Sequence, residues 1–105
     1  MGVEVLIKPE EISGNDLVQV FKLFCKSFGI ESNERDEEFL RTQGLEALRK
    51  GICGLDYRPY MGAKFFGERG LKSIRFHGYS APHDSNWESK DKNFQIEVEQ
   101  YFGKR

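Results

Sequence analysis

The chain has 105 residues, a formal charge of −1, 38% apolar side chains and two cysteines. That is one domain's worth of sequence, able to bury roughly 65% of its unfolded surface without metal or disulfide staples. Composition excludes a disordered chain, a secreted disulfide scaffold and a membrane-spanning protein, since no apolar run approaches the ~18 residues a span requires.

Charge is uneven along the sequence. Residues 1–50 carry seven basic and ten acidic side chains, residues 51–80 five and two, and residues 81–105 four and five. The middle third is therefore the basic part, and it also holds six of the eleven glycines and six aromatic rings. The N-terminus has acids where a secretory leader has bases, and Cys25 and Cys53 form no Cys-x-x-Cys pair, so a cytoplasmic protein with reduced thiols is expected.

Val3, Val5 and Ile7 alternate with Glu4, Leu6 and Lys8, which predicts a strand ended by Pro9. Ser13 and Asp16 stand at capping-box spacing. From there Leu17, Val20, Phe21, Phe24 and Phe28 form one apolar stripe, and Gly29 supplies a helix end, so a helix over 14–28 is expected. A second helix is capped by Ser32 or Asn33, begins with Glu34, Asp36, Glu37 and Glu38, and ends with Arg49 and Lys50 before Gly51. Acids first and bases last oppose the helix dipole, so this cluster is helix chemistry before it is a metal site. Phe39, Leu40, Ala47 and Leu48 are expected to face inward. Gly44 costs about 1 kcal/mol in a helix interior, which predicts either a close crossing by the first helix or a bend.

After Leu55 the period changes to two. A strand from Tyr60 to Phe66, a turn at Glu68-Arg69-Gly70 with the glycine at positive φ, and a return strand from Leu71 to Gly78 are expected. Ile74 and Phe76 should point inward, and Ser73, Arg75 and His77 outward. Tyr79 to Asn93 reads as a long polar loop, and Phe94 to Phe102, with Phe94, Ile96 and Val98 alternating, as a last strand. The expected architecture is α+β: two helices packed on one face of a three- to four-stranded, mainly antiparallel sheet, in the order β-α-α-β-β-β.

No motif specifies a reaction. The glycines lack dinucleotide or Walker spacing, the histidines and cysteines match no zinc pattern, and KFFGERG does not fit the RNA-reading consensus. No cofactor or metal is expected. The residues of contact character are Tyr57, Arg58 and Tyr60 around Pro59, then Arg75, His77, Tyr79 and His83, and Trp87, which has no apolar neighbours in sequence. They point to a small non-catalytic binding protein acting on another protein, of the inhibitor, immunity or regulatory type found in bacteria and phages, as monomer or homodimer. A second reading is nucleic-acid binding by the basic, aromatic hairpin 58–79, through Arg58, Lys64, Arg69, Lys72 and Arg75. A third is phosphoester chemistry, with His77 and His83 exchanging protons and Arg75 holding the phosphate.

Overall fold

A computed structural model describes residues 7–57, 62–80 and 86–103. The described elements run α1 (Gly14–Phe28), α2 (Glu34–Phe39), a π-helical segment (Leu40–Gly44), α3 (Leu45–Lys50), β1 (Ile52–Tyr57), β2 (Ala63–Arg69), β3 (Ile74–Ser80) and α4 (Trp87–Gly103), with one 3-10 turn at Pro9–Glu11. The fold is α+β, with a three-stranded antiparallel sheet in the order β1-β2-β3.

Helix α1 forms where its punctuation places it. The Ser13 hydroxyl accepts from the Asp16 backbone N–H at 3.1 Å, and the Asp16 carboxylate accepts from the Ser13 N–H at 2.9 Å, completing the capping box. Gly29 closes the helix at φ 69°, in the left-handed region that glycine enters without a Cβ penalty. Its stripe of Leu17, Val20, Phe21, Phe24 and Phe28 is fully buried.

The second helical run starts at Asn33, whose side chain accepts from the Asp36 N–H at 2.8 Å. It is not uniform: the five residues from Leu40 to Gly44 are π-helical. The wider turn changes which residues face inward. Leu40, Gly44 and Leu48 are buried, while Phe39 is exposed and not part of the core. Gly44 permits the close crossing expected of it, because a Cβ there would lie 3.2 Å from Leu17 of α1 and 3.1 Å from the Cys53 sulfur. Beyond the run, the Arg69 guanidinium on β2 donates to the Arg49 carbonyl at 2.8 Å and so serves the last turn of α3.

Three expectations are corrected. Residues 94–102 are not a strand but the body of α4, in which Phe94, Val98 and Phe102 recur every four residues and are buried. The alternation Phe94, Ile96, Val98 fits both periods over so short a window, and Ile96 is exposed. Strand β1, Ile52–Tyr57, begins directly after Gly51, before the expected change of period. The β2–β3 connection spans Gly70 to Ser73, closed by Gly70 N–H to Ser73 C=O at 2.7 Å, and Gly70 is not at positive φ. The expected first strand falls mostly on residues outside the described set. Its described end, Ile7, forms one antiparallel bridge with Ile74. The observed order is thus α-α-β-β-β-α over the described residues. None of their helices is long and apolar enough to cross a membrane.

The core is aromatic. Phe24 meets Phe28 at 4.7 Å, Phe65 at 5.4 Å and Phe94 at 5.8 Å between ring centroids, joining α1, β2 and α4. Phe76 of β3 stacks on Phe102 of α4 at 6.4 Å. These contacts involve the sheet face that carries Cys53, Tyr57, Ala63, Phe65, Gly67, Ile74, Phe76 and Gly78, all buried.

Candidate functional site

Strand alternation assigns the remaining residues to the other face. There Ile52, Gly54 and Asp56 lie on β1, Lys64, Phe66 and Glu68 on β2, and Arg75, His77 and Tyr79 on β3. Cross-strand register sets Phe66 opposite His77, Lys64 opposite Tyr79, and Glu68 opposite Arg75. The Phe66 and His77 rings stack at 5.0 Å and 24°. Glu68 reaches His77, with Oε1 3.5 Å from Nε2, and that nitrogen is shielded from solvent with no hydrogen-bond partner among the described residues. Tyr79 is 40% exposed and meets Trp87 edge-on at 4.7 Å. Arg75 is exposed.

Among the described residues the charges of this face balance: Lys64 and Arg75 stand against Asp56 and Glu68. Above Gly54 it holds a trough of about 360 Å³, lined by Ile52, Gly54, Leu55, Asp56, Lys64, Phe65 and Phe66. Phe66 borders the space that glycine leaves, its Cβ 3.2 Å from where a Gly54 Cβ would stand. A second hollow of about 240 Å³ lies between β3 and α4, lined by Arg75, His77, Gln95 and Glu99 with Ile7, Ile74, Phe76 and Val98.

The structure thus gathers Arg75, His77, Tyr79 and Trp87, and adds Phe66, one of two adjacent rings of which strand alternation turns only one inward. The choice follows from pairing: Phe65 shares the buried face with Ala63 and Gly67, so Phe66 must turn outward. Trp87 is not in a loop but is the first residue of α4, partly buried against the core and beside Tyr79. Tyr57 is not an exposed contact residue. It closes the inner face, stacks on Phe21 at 6.1 Å and donates its hydroxyl to Asp36 at 2.7 Å. Burial, that hydrogen bond and the Asp36 charge all push its phenol pKa well above 10. Arg58, Tyr60 and His83 lie outside the described residues.

Neither cysteine offers reactive chemistry. Burial, reinforced by Asp36 and Glu37, pushes the Cys25 thiol up to about 12, and burial raises Cys53 as well. Among the described residues no three His, Cys, Asp or Glu side chains converge as a metal-binding set. Of the basic residues proposed for nucleic acid, Arg69 is engaged at the end of α3. Comparison of the chain with protein families, curated proteins and solved structures gives no match.

Proposed function

We propose that this chain is a non-catalytic binding protein that engages another protein through the open face of its sheet. The observation that carries the reading is the cluster of Phe66, His77, Tyr79 and Trp87 beside Arg75 on a surface of balanced charge. Tyr, Trp and Arg are the side chains that dominate binding hot spots, since each removes much surface from water while keeping a polar handle. Here Arg75 and Tyr79 sit on a paired strand and Trp87 at the start of α4, packed against an aromatic core, so little ordering entropy remains to be lost on binding. The mode of action would be occlusion of a partner's site, as an inhibitor, immunity or regulatory protein acts. Two shielded, unpaired thiols suit a reducing, cytoplasmic setting.

Nucleic-acid binding needs the same exposed rings but also net positive charge, because phosphate neutralisation supplies most of its affinity. With Asp56 and Glu68 opposing Lys64 and Arg75, the described residues of the open face lack that surplus. The test is affinity capture from the source organism with wild-type, Tyr79→Ala and Arg75→Ala proteins, read by mass spectrometry, beside a gel-shift assay with labelled RNA and DNA at low salt. A protein held by the wild type and lost by both folded variants supports the reading. A salt-sensitive gel shift with no such protein would replace it by the nucleic-acid one.

A further inference from the structure

The hollow of about 240 Å³ between β3 and α4 shares Arg75 and His77 with the face that carries Phe66 and Tyr79, but it is built differently. Two contacts between its lining residues frame it. The Ile74 N–H donates to the Ile7 carbonyl at 2.7 Å, and the Gln95 amide donates to the Phe76 carbonyl, which ties α4 to the strand. Ile7, Ile74, Phe76 and Val98 form its apolar lining, and all four are buried. The hollow is therefore shaped by core residues and needs no rearrangement to receive a ligand.

Its polar groups are sorted by wall. From β3 comes the Arg75 guanidinium, which can only donate; from α4 comes the Glu99 carboxylate, which can only accept. Gln95 stands one turn before Glu99 on the same side of the helix. Its nitrogen is engaged by Phe76, which leaves its oxygen as a second acceptor on that wall. Arg75 and Glu99 line one hollow, yet neither forms an ion pair or hydrogen bond with the other or with any other described residue. Glu97, two positions before Glu99, does have a partner: Lys26 at 3.1 Å.

A donor wall and an acceptor wall on either side of an apolar floor complement a molecule that carries both charges and a hydrocarbon part. We infer that the hollow binds a small apolar α-amino acid in its free, zwitterionic form. Arg75 takes the α-carboxylate, Glu99 and the Gln95 oxygen take the α-ammonium, and the side chain rests on Ile7, Ile74 and Val98. The rival ligands each fit one wall only. A peptide's N-terminus brings the ammonium alone, its C-terminus brings the carboxylate alone, and a phosphate ester sets negative charge beside Glu99. The volume lies below the roughly 300–1,000 Å³ of sites for drug-sized ligands, which suits a metabolite of amino-acid size. Gln95 and Glu99 lie on α4, so this site stands or falls apart from whatever the face around Tyr79 binds.

Titration of isotope-labelled protein with L-leucine, L-valine and L-phenylalanine, followed by amide chemical shifts, tests it. At least one of the three should move the Arg75, Phe76, Gln95 and Glu99 amides saturably in the millimolar range. The matching carboxylic acid and the matching amine, which each lack one of the two charges, should bind about tenfold more weakly or worse, the loss expected for a charged hydrogen bond. Arg75→Gln and Glu99→Gln, both outside the core, should weaken binding by a similar factor and keep the wild-type melting temperature. No saturable shift with any of the three amino acids would overturn the inference. So would single-charge analogues that bind as well as the amino acid, or a folded Glu99→Gln protein that binds as the wild type does.

Discussion

The Asp91 carboxylate accepts the backbone N–H of Gly78 at 3.0 Å, so a side chain of α4 takes the place that a fourth strand would occupy beside β3. Gln95, one turn further on, donates to the Phe76 carbonyl and lies 3.3 Å from the same carboxylate. Asp91→Ala removes the acceptor and leaves a half-buried N–H unpaired. A loss of about 1–2 kcal/mol is expected, the usual cost of an unmet bond of this kind. Urea denaturation of the variant measures it. Because the vacated edge is then open to another strand, the variant should also associate more readily on concentration than the wild type.

That relationship also marks where sequence reading fails. Gly78 and Asp91 stand thirteen residues apart, and nothing in either residue announces the other. The helices of the first half were legible because local chemistry decides them: a capping box at Ser13, Asn33 before an acidic turn, and glycines at 29 and 51. Phe94 to Phe102 was not, because Phe94 and Val98 fit a helical stripe while Phe94, Ile96 and Val98 also alternate. Tertiary contact decides that case: Phe94 and Phe102 must meet Phe24 and Phe76, while Ile96 remains outside. Arg75, His77 and Tyr79 were found because a strand's alternation is local. Tyr57 was misplaced because its apparent loop is the end of β1, whose pairing with β2 is not.

The tie between Asp16 and Tyr101 joins the start of α1 to the end of α4. Asp16 is buried; one carboxylate oxygen serves the capping box and the other accepts the Tyr101 hydroxyl at 2.7 Å. Tyr101→Phe should cost about 1–2 kcal/mol, a single bond to a charged acceptor. Asp16→Ala should cost more, about 2–3 kcal/mol, because it undoes the cap and strands the Tyr101 hydroxyl. The double variant is expected to be less destabilised than the sum of the two, since both remove one shared bond. Equilibrium denaturation of the three proteins checks this.

Gly14 packs its Cα against the π-helical segment. A Cβ there would stand 2.6 Å from the Arg41 carbonyl oxygen, a backbone atom that no side-chain rotation can withdraw. Gly14→Ala should therefore destabilise by about 1–3 kcal/mol despite alanine's better helix propensity. Gly51→Ala meets nothing within 4 Å and serves as the steric control. Thermal melts of the two variants should separate them, with Gly14→Ala the lower.

Alkaline pH should unfold the protein in part through Cys25. Its thiol stays protonated in the folded state up to about 12, against an ordinary value of 9.0, because burial next to Asp36 and Glu37 penalises the thiolate. A folded-state value raised above the unfolded one means that the unfolded chain loses its proton first. This contribution is therefore fully present below about pH 9 and is lost as pH climbs toward 12, at no more than about 1.4 kcal/mol per pH unit for one group. Tyr57 is shifted in the same direction and adds to the decline. Denaturation midpoints measured from pH 7 to 11 should thus be flat with respect to these groups up to about pH 9 and fall beyond it. Cys25→Ala removes the thiol and should make the fall shallower, although its smaller side chain lowers stability across the whole range. A Cys25→Ala curve parallel to the wild type above pH 9 would assign the alkaline loss to other groups.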